Sequence, residues 1–255
     1  MRVERRDSVE IWTLDRPQAR NALDAATFQD LAQAIDRAAS DVALRAVILT
    51  ADGDVFAAGG DLRELRAARS SADAVHLAEI GRRVCDGLGA LPLPVLAALP
   101  GAAIGGGAEL AIACDVRIAS PRASLCFKHA HMGVTTAWGV LPRLVGLAGR
   151  GAASRLLLTA QTVDASEGLR LGLFDAVSSD APQACVELAL RWAADVVRGA
   201  PLAVASMKSL LRAAAQDDAL ATTERKHFVA TWTSDDHADA VESFFERRVP
   251  TWTGR

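Results

Sequence analysis

Two glycine-bearing segments about 45 residues apart constrain the fold of this chain more than any other feature. The first reads Phe-Ala-Ala-Gly-Gly-Asp-Leu at 56–62, and the second reads Gly-Ala-Ala-Ile-Gly-Gly-Gly-Ala-Glu-Leu at 101–110. Each follows an apolar run with strand character and precedes residues with helical periodicity. Because the first N–H groups of a helix have no intrahelical acceptor, two such turns can direct backbone N–H groups at one point. The pair therefore predicts a site that stabilises a developing negative charge on oxygen.

Strand-like and helix-like segments alternate along much of the chain. Strands are predicted at 8–14, 46–49, 94–99, 116–119, 124–127 and 174–177. Helices are predicted from about Asp24, which can serve as an N-cap, at 72–91, from the second turn to Cys114, and over most of the chain after Trp138. The last third contains four amphipathic helices, at about 181–198, 201–215, 217–232 and 236–248. This order predicts the α/β class with a helical C-terminal appendage.

Composition limits the function classes. The 255 residues carry a formal net charge of -3 with scattered basic residues, so we expect no nucleic-acid partner. The N-terminus is too charged for a signal peptide, and no apolar stretch is long enough to span a membrane. The cysteines match no zinc or redox spacing; they are Cys85, Cys114, Cys126 and Cys185. We therefore expect a cytoplasmic protein with reduced thiols and no bound metal.

The second turn can support acid–base chemistry. Gly105, Gly106 and Gly107 leave the predicted helix N-terminus open to a ligand, because they have no side chains to block it. Glu109 follows about one helical turn beyond Gly106, so its carboxylate lies close to whatever the N–H groups bind. The alternative is a glycine-rich turn with a capping carboxylate. The chain contains no Walker sequence, no complete dinucleotide fingerprint and no Gly-x-Ser-x-Gly elbow.

The two turns, in this order and spacing, resemble the crotonase superfamily, also called the enoyl-CoA hydratase/isomerase family. The resemblance covers nearly the whole chain and includes the segments 15–23, 113–115, 133–139, 142–146 and the ending from Phe244 to Trp252. It implies an α/β fold with a crotonase-like ββα spiral core over residues 1–198 and a C-terminal helical trimerisation region over residues 199–255. It also implies an acyl-CoA substrate, no cofactor apart from the coenzyme A of that substrate, and a homotrimer or hexamer.

The resemblance assigns roles by position. Gly60 and Gly106 are expected to donate their N–H groups to the thioester oxygen, and Glu109 is expected to act as acid and base. Trp138 is expected to form a wall of the acyl pocket, with core packing as the alternative. The remaining expected substrate contacts, made along the coenzyme A portion, come from Arg20, Ala57, Ala58, Gly59, Asp61, Leu62 and Arg63. Of these, residues 57–59 would contact the adenine through their backbone, and an arginine would lie near the phosphates.

The chain departs from the hydratase pattern at one catalytic position. Hydratases of this family hold the reacting water between two glutamates, of which Glu109 matches the first. Alignment on Gly133 places His129 at the second. Imidazole can act as a base or an acid near neutral pH, so Glu109 and His129 could handle one water between them. The alternative is that His129 and His131 only fill a loop and hydrogen-bond within it.

These residues favour an acyl-CoA lyase of the enoyl-CoA hydratase type, which stabilises a thioester enolate. Two alternatives keep the same oxyanion hole: a double-bond isomerase and a decarboxylase of a malonyl-type CoA. Decarboxylation needs enolate stabilisation and one proton donor rather than a clamp of two carboxylates around a water. A CoA-binding protein with little catalysis is a further alternative.

Overall fold

The computed structural model describes residues 1–68, 70–181, 183–213, 225 and 228–251. The strands are β1 Arg2–Arg6, β2 Val9–Leu14, β3 Ala46–Ala51, β4 Val55–Ala57, β5 Val95–Leu99, β6 Ala102–Ile104, β7 Val116–Ala119, β8 Ser124–Cys126, β9 Val163–Asp164 and β10 Ala176–Val177. The helices are α1 Ala25–Ser40, α2 Leu62–Ala67, α3 Ser71–Ala90, α4 Gly106–Ala113, α5 Val140–Thr159, α6 Ala165–Arg170, α7 Ala184–Val197, α8 Pro201–Ala213 and α9 Asp235–Glu246. Two 3-10 helices, Pro17–Ala19 and Ala130–Met132, precede α1 and α5. The predicted α/β class is therefore confirmed.

The larger sheet has the strand order β1-β2-β3-β5-β7-β10. Its strands are parallel from β2 onward, and β1 pairs antiparallel with β2. Strand β3 is buried along its whole length because both faces of the sheet are covered. Val47 and Leu49 face the main core, while Ala46 and Ile48 face a second cluster that α7 completes. This two-sided burial explains the continuous apolar run that predicted a strand at 46–49.

The smaller sheet brings together the turns singled out in the sequence. Its order is β4-β6-β8-β9, with β4, β6 and β8 parallel to one another. The carboxyl ends of parallel strands meet at one edge of a sheet, so the residues that follow β4, β6 and β8 share that edge. Gly59 and Gly60 follow β4, Gly105 and Gly106 follow β6, and His129 follows β8.

Local sequence signals fix several helix starts. The carboxylate of Asp24 accepts a hydrogen bond from the backbone N–H of Thr27, which confirms the predicted N-cap of α1. Ser70 and Asp73 form a reciprocal capping box at the start of α3, one residue before the predicted start. Strands β1, β4, β6 and β9 and helix α2 were not predicted from the sequence; β4 and β6 have only three residues each. Strand β1 is exposed along its whole length, and β9 has only two residues, so neither shows the apolar pattern of a buried strand.

The C-terminal helices pack on the rest of the chain. Helix α8 is held by Lys208, whose buried ammonium donates to the carbonyl oxygens of Leu88 and Leu93. Helix α9 contacts α2 and the 3-10 helix Ala130–Met132, where Nδ1 of His237 lies 2.7 Å from the carbonyl oxygen of Met132. Most of the helix predicted at 217–232 lies outside the described residues. Within that range, the described residues 228–232 are helical. The domain division at residue 198 and the trimerisation role stay predictions.

Among the residues that the structure describes, no helix combines the length and the apolar character needed to cross a membrane. The cytoplasmic location stays a prediction.

Candidate active site

The two glycine turns are in direct contact. A Cβ atom on Gly107 would lie 2.2 Å from the carbonyl oxygen of Ala57 in the first turn. A Cβ atom on Gly59 would lie 3.0 Å from the carbonyl oxygen of Ile104 and 3.6 Å from the backbone nitrogen of Gly106. Gly59 also has a φ of 99°, which side chains other than glycine rarely tolerate. These glycines allow the two backbones to approach closely enough to share one site.

The first turn directs the N–H group of Gly60 away from Leu23, the residue beside it in the neighbouring segment. Gly60 forms an isolated parallel bridge with Leu23. In that bridge the N–H of Leu23 donates to the carbonyl of Gly59, and the N–H of Asp61 donates to the carbonyl of Leu23. Because the peptide groups on either side of Gly60 make these bonds, its own N–H points to the opposite side.

The second turn opens a helix. Gly105 is the N-cap of α4 with a φ of 54°, and Gly106 is the first residue of the helix. The carbonyl of Gly105 accepts hydrogen bonds from Ala108 and Glu109, as expected for an N-cap residue. The N–H of Gly106 therefore has no acceptor within the helix and lies at its positive end. The helix is buried at every position, which keeps water from surrounding this N–H.

Glu109 has a buried carboxylate. Gly106 lies three residues before it, so both residues are on the same face of α4. The exposed fraction of Glu109 is only 2%. One oxygen, Oε2, accepts a hydrogen bond from the backbone N–H of Trp138 at 3.0 Å. The other, Oε1, lies 2.9 Å from Nε2 of His129. Glu109 therefore has partners on both oxygens and cannot be only a solvent-facing cap.

His129 lies just after β8, at the start of the 3-10 helix Ala130–Met132. Its side chain is 12% exposed. The second ring nitrogen, Nδ1, is buried and has no hydrogen-bond partner among the described residues. Buried polar atoms in native proteins nearly always have a partner, so Nδ1 is the atom of this pair that can accept a proton or a hydrogen bond from a ligand.

Trp138 lies against the same face of α4. Its exposed fraction is 5%. A Cβ atom on Gly106 would lie 2.2 Å from Cζ3 of the indole, so the ring is in contact with the backbone of that glycine. Arg143 fixes this segment by donating to the carbonyl of Gly139 and by pairing with Asp86 on α3 at 2.9 Å.

The remaining predicted substrate contacts cluster around the first turn. Ala57 is buried, and Ala58, Asp61 and Leu62 are partly buried. Arg20 and Arg63 are exposed, and the backbone carbonyl of Arg20 accepts a hydrogen bond from the N–H of Ala58. The structure therefore brings both arginines to the first turn, where their guanidinium groups are free to approach an anionic ligand from solvent.

Two residues that support the first turn, Arg16 and Asn21, were not predicted from the sequence. Arg16 pairs with Asp24 at 3.0 Å and with Asp61 at 3.1 Å. Asn21 is buried, with a φ of 53°, and its amide donates to the carbonyls of Asp52 and Val55 at the start of β4. An asparagine in a predicted loop could have indicated this role, because asparagine tolerates the left-handed conformation and its side chain often replaces backbone hydrogen bonds in turns.

Neither His131 nor the thiol of Cys126 takes part in the Glu109–His129 pair. His131 is exposed on the 3-10 helix, so the segment is not extended and the two histidines do not share a strand face. The thiol of Cys126 is buried and donates to the carbonyl of Ala160, as a small core residue does. Burial raises the pKa of the Cys114 thiol to about 12. Within the described part of the chain, no three His, Cys, Asp or Glu side chains come together as a metal site.

Comparisons with known proteins extend over nearly the whole chain. A family model described as "Enoyl-CoA hydratase/isomerase" matches residues 4–255. The "Short-chain-enoyl-CoA hydratase" of Clostridium acetobutylicum is 35% identical over 250 residues, which cover 96% of this chain and 94% of that protein. The "2,3-dehydroadipyl-CoA hydratase" of Escherichia coli is 32% identical over 257 residues, with coverage of 99% and 98%. A crystal structure of an enoyl-CoA hydratase from Mycobacterium avium subsp. paratuberculosis K-10 is similar with a TM-score of 0.88 at 26% identity, covering 99% of this chain and 98% of that one.

Proposed function

The chain belongs to the enoyl-CoA hydratase/isomerase family, and from this premise we propose that it is an acyl-CoA lyase of the enoyl-CoA hydratase type. The observation that carries the proposal is the arrangement at the edge of the smaller sheet. There the turns of Gly60 and Gly106 are in contact, and Glu109, on the helix that begins at Gly106, pairs with His129, which follows β8. Enoyl-CoA hydratases among the relatives, at 30–35% identity, support the same reaction type.

The backbone supplies the electrostatic part of the mechanism. The N–H groups of Gly60 and Gly106 donate to the thioester oxygen of the substrate. When water adds to the β-carbon, negative charge develops on that oxygen as the thioester becomes an enolate. Each preorganised donor aimed at such an oxygen contributes roughly 2.7–4 kcal/mol of transition-state stabilisation.

The Glu109–His129 pair moves the protons. The oxygen of water bonds to the β-carbon of the trans-2-enoyl thioester, and the pair accepts one proton from that water. The π electrons pass to the thioester oxygen, and the enolate then takes a proton from the pair at its α-carbon. The product is a 3-hydroxyacyl thioester, and the pair returns to its starting protonation state. No cofactor beyond the coenzyme A of the substrate is needed.

Binding of coenzyme A is assigned to the first turn. The backbone of residues 57–59 contacts the adenine, Asp61 and Leu62 border the pantetheine, and Arg20 or Arg63 approaches the phosphates. Both arginines are exposed, so the attraction is weakened by salt.

Assembly into a trimer, or a hexamer of two trimers, belongs to the same proposal. Helix α8 exposes apolar side chains that a monomer would leave in water; they are Leu202, Met207, Leu210 and Leu211. Light scattering of the pure protein tests this part, and a monomeric mass contradicts it.

Hydration of crotonyl-CoA, followed as loss of the conjugated enoyl absorbance, tests the function directly. The wild type is expected to turn over, and Glu109→Gln to lose roughly 10²–10⁴-fold in kcat, because a positioned acid–base group contributes about that much. Glu187→Gln is the matched control, since Glu187 is an exposed residue of α7. Full activity of Glu109→Gln would exclude the role of this carboxylate.

A decarboxylase of a malonyl-type CoA is the second candidate, and one observation favours it. His129 occupies the position of the second hydratase glutamate, and its Nε2 is engaged with Glu109 rather than free to clamp a water. In decarboxylation the bond between the α-carbon and the carboxylate breaks, CO₂ leaves, and the electron pair forms the same enolate. A single proton then goes to the α-carbon, for which one donor suffices.

Release of CO₂ from methylmalonyl-CoA and ethylmalonyl-CoA discriminates this reaction from hydration. CO₂ release without crotonyl-CoA hydration supports the decarboxylase. A double-bond isomerase would convert 3-enoyl thioesters without either reaction. Tight acyl-CoA binding with no turnover of any of these substrates would instead indicate a binding protein.

A further inference from the structure

The indole of Trp138 fills a slot between two helices. On one side, a Cβ atom on Gly81 of α3 would lie 2.2 Å from Nε1 and Cε2 of the ring. On the other side, a Cβ atom on Gly106 of α4 would lie 2.2 Å from Cζ3 and 2.3 Å from Cη2. Real Cβ atoms do not approach other atoms so closely, so both positions must be glycine for the ring to occupy this slot.

A third contact fixes the orientation of the ring. Phe28 of α1 meets the indole edge-on, with the ring centroids 5.3 Å apart and the ring planes at 84°. This is a favoured geometry for an aromatic pair. Because Trp138 is 95% buried and contacts three helices, it forms a fixed wall rather than a mobile side chain.

The wall stands on the side of α4 where the reaction takes place. Gly106 and Glu109 are three residues apart and share one face of the helix. The indole contacts Gly106, and the backbone N–H of Trp138 donates to Glu109. A thioester carbonyl held by the N–H of Gly106 therefore has the indole next to it.

We propose that Trp138 ends the acyl pocket and restricts the enzyme to short acyl groups such as crotonyl or butanoyl. The inference rests on the proposed function, because it places the thioester oxygen at Gly106. Each methylene that finds room in an apolar pocket changes discrimination by roughly 10–200-fold, so a wall that excludes several methylenes has a large effect on chain-length preference. Replacing the indole by a smaller side chain opens the slot without disturbing the hydrogen bond to Glu109, which comes from the backbone.

Calorimetric binding of butanoyl-CoA and octanoyl-CoA tests the proposal, because neither saturated thioester can be hydrated. The wild type is expected to bind butanoyl-CoA more tightly than octanoyl-CoA. Trp138→Leu is expected to shift the ratio of the two dissociation constants at least tenfold toward octanoyl-CoA. Trp192→Leu is the matched control, because Trp192 packs on the far face of the larger sheet with α7. Its ratio is expected to equal that of the wild type.

The outcomes separate the two proposals. An unchanged ratio in Trp138→Leu, or an equal shift in Trp192→Leu, overturns the role of Trp138 while leaving the proposed function in place. A wild type that binds neither thioester overturns the proposed function instead. If Trp138→Leu does not fold, Trp138→Phe makes the same test, since it keeps an aromatic ring against Phe28 and removes part of the wall; its ratio must then shift in the same direction.

Discussion

Nε2 of His129 lies 2.9 Å from Oε1 of Glu109, although the two residues belong to different strand–helix units. The second oxygen of Glu109 already accepts the N–H of Trp138. A proton on Nε2 satisfies Oε1 and leaves Nδ1 of His129 as an acceptor, and Nδ1 is the ring nitrogen that lacks a partner among the described residues. The carboxylate thus orients the imidazole, and the two side chains act as a unit.

Replacing His129 by glutamine is expected to lower kcat by roughly 10²–10⁴-fold with little change in KM. The glutamine amide can still donate to Glu109, but it cannot exchange a proton. Steady-state kinetics with crotonyl-CoA measure the effect. His131→Gln serves as the control, because His131 is exposed on the 3-10 helix. Equal kcat values for His129→Gln and the wild type would contradict the proposal that His129 and Glu109 act together.

Gly107→Ala is expected to separate the two turns. The added Cβ would lie 2.2 Å from the carbonyl oxygen of Ala57, a backbone atom that no side-chain rotation can move aside. We expect a loss of about 1–3 kcal/mol in the free energy of unfolding, as for overpacked cores, together with lower kcat. Urea unfolding and crotonyl-CoA kinetics measure the two effects.

Gly146→Ala provides the comparison for this glycine. It lies in helix α5, and a Cβ there would meet no atom of the described residues within 4 Å. Alanine in a helix interior is favoured over glycine by roughly 0.5–1 kcal/mol, so this variant is expected to be neutral or more stable. If Gly107→Ala is as stable and as active as Gly146→Ala, neither stability nor activity depends on the close contact between the two turns.

The sequence predicted what is encoded locally. The apolar run at 46–49, the N-cap at Asp24 and the two glycine turns depend on neighbouring residues, and all three are present in the structure. The contact between His129 and Glu109 depends on the pairing of β6 with β8, which periodicity does not specify. Helix α2 has only six residues and no buried ones, so no apolar face marked it in the sequence.

Asp24→Ala is expected to destabilise the protein by about 1 kcal/mol at neutral pH through loss of the α1 cap. Burial raises the pKa of Asp24, but hydrogen bonds from Thr27 and the charge of Arg16 outweigh it, so the net pKa is lowered from 3.8. The stability from this carboxylate is therefore present above 3.8 and is lost as the pH falls through the lower folded pKa. The difference in free energy of unfolding between wild type and variant is expected to shrink over that range.

Asp24→Asn checks the assignment, because asparagine caps helices about as well as aspartate but carries no charge. It is expected to retain most of the stability at neutral pH and to lack the acid-dependent loss. Urea unfolding at neutral and acidic pH measures both variants. An Asp24→Asn variant as unstable as Asp24→Ala would show that the ion pair with Arg16, and not the cap, provides the stability.

Lys208→Met is expected to loosen helix α8. The ammonium donates to the carbonyls of Leu88 and Leu93 and lies 2.7 Å from Oδ2 of Asp115. Breaking a buried ion pair costs about 3–5 kcal/mol. Asp115 is 29% exposed and keeps a hydrogen bond from the N–H of Val95, so we expect a smaller loss of about 2 kcal/mol at neutral pH.

The pH dependence of the Lys208 variant has a definite sign. Burial lowers the pKa of Lys208 below its usual 10.5, although Asp115 opposes the shift. Between the folded pKa and 10.5 the unfolded chain binds more protons at this side chain than the folded one, so the stability it contributes rises with pH. The methionine variant lacks this titration. The free energy of unfolding of the wild type minus that of Lys208→Met is therefore expected to grow as the pH rises toward 10.5, as measured by urea unfolding.

Lys128→Met, which removes an exposed lysine, is the control. Its free energy of unfolding is expected to differ from that of the wild type by no more than about 0.5 kcal/mol, with no such trend with pH. A Lys208 difference that falls as the pH rises would mean that the ammonium is stabilised rather than penalised by its buried position.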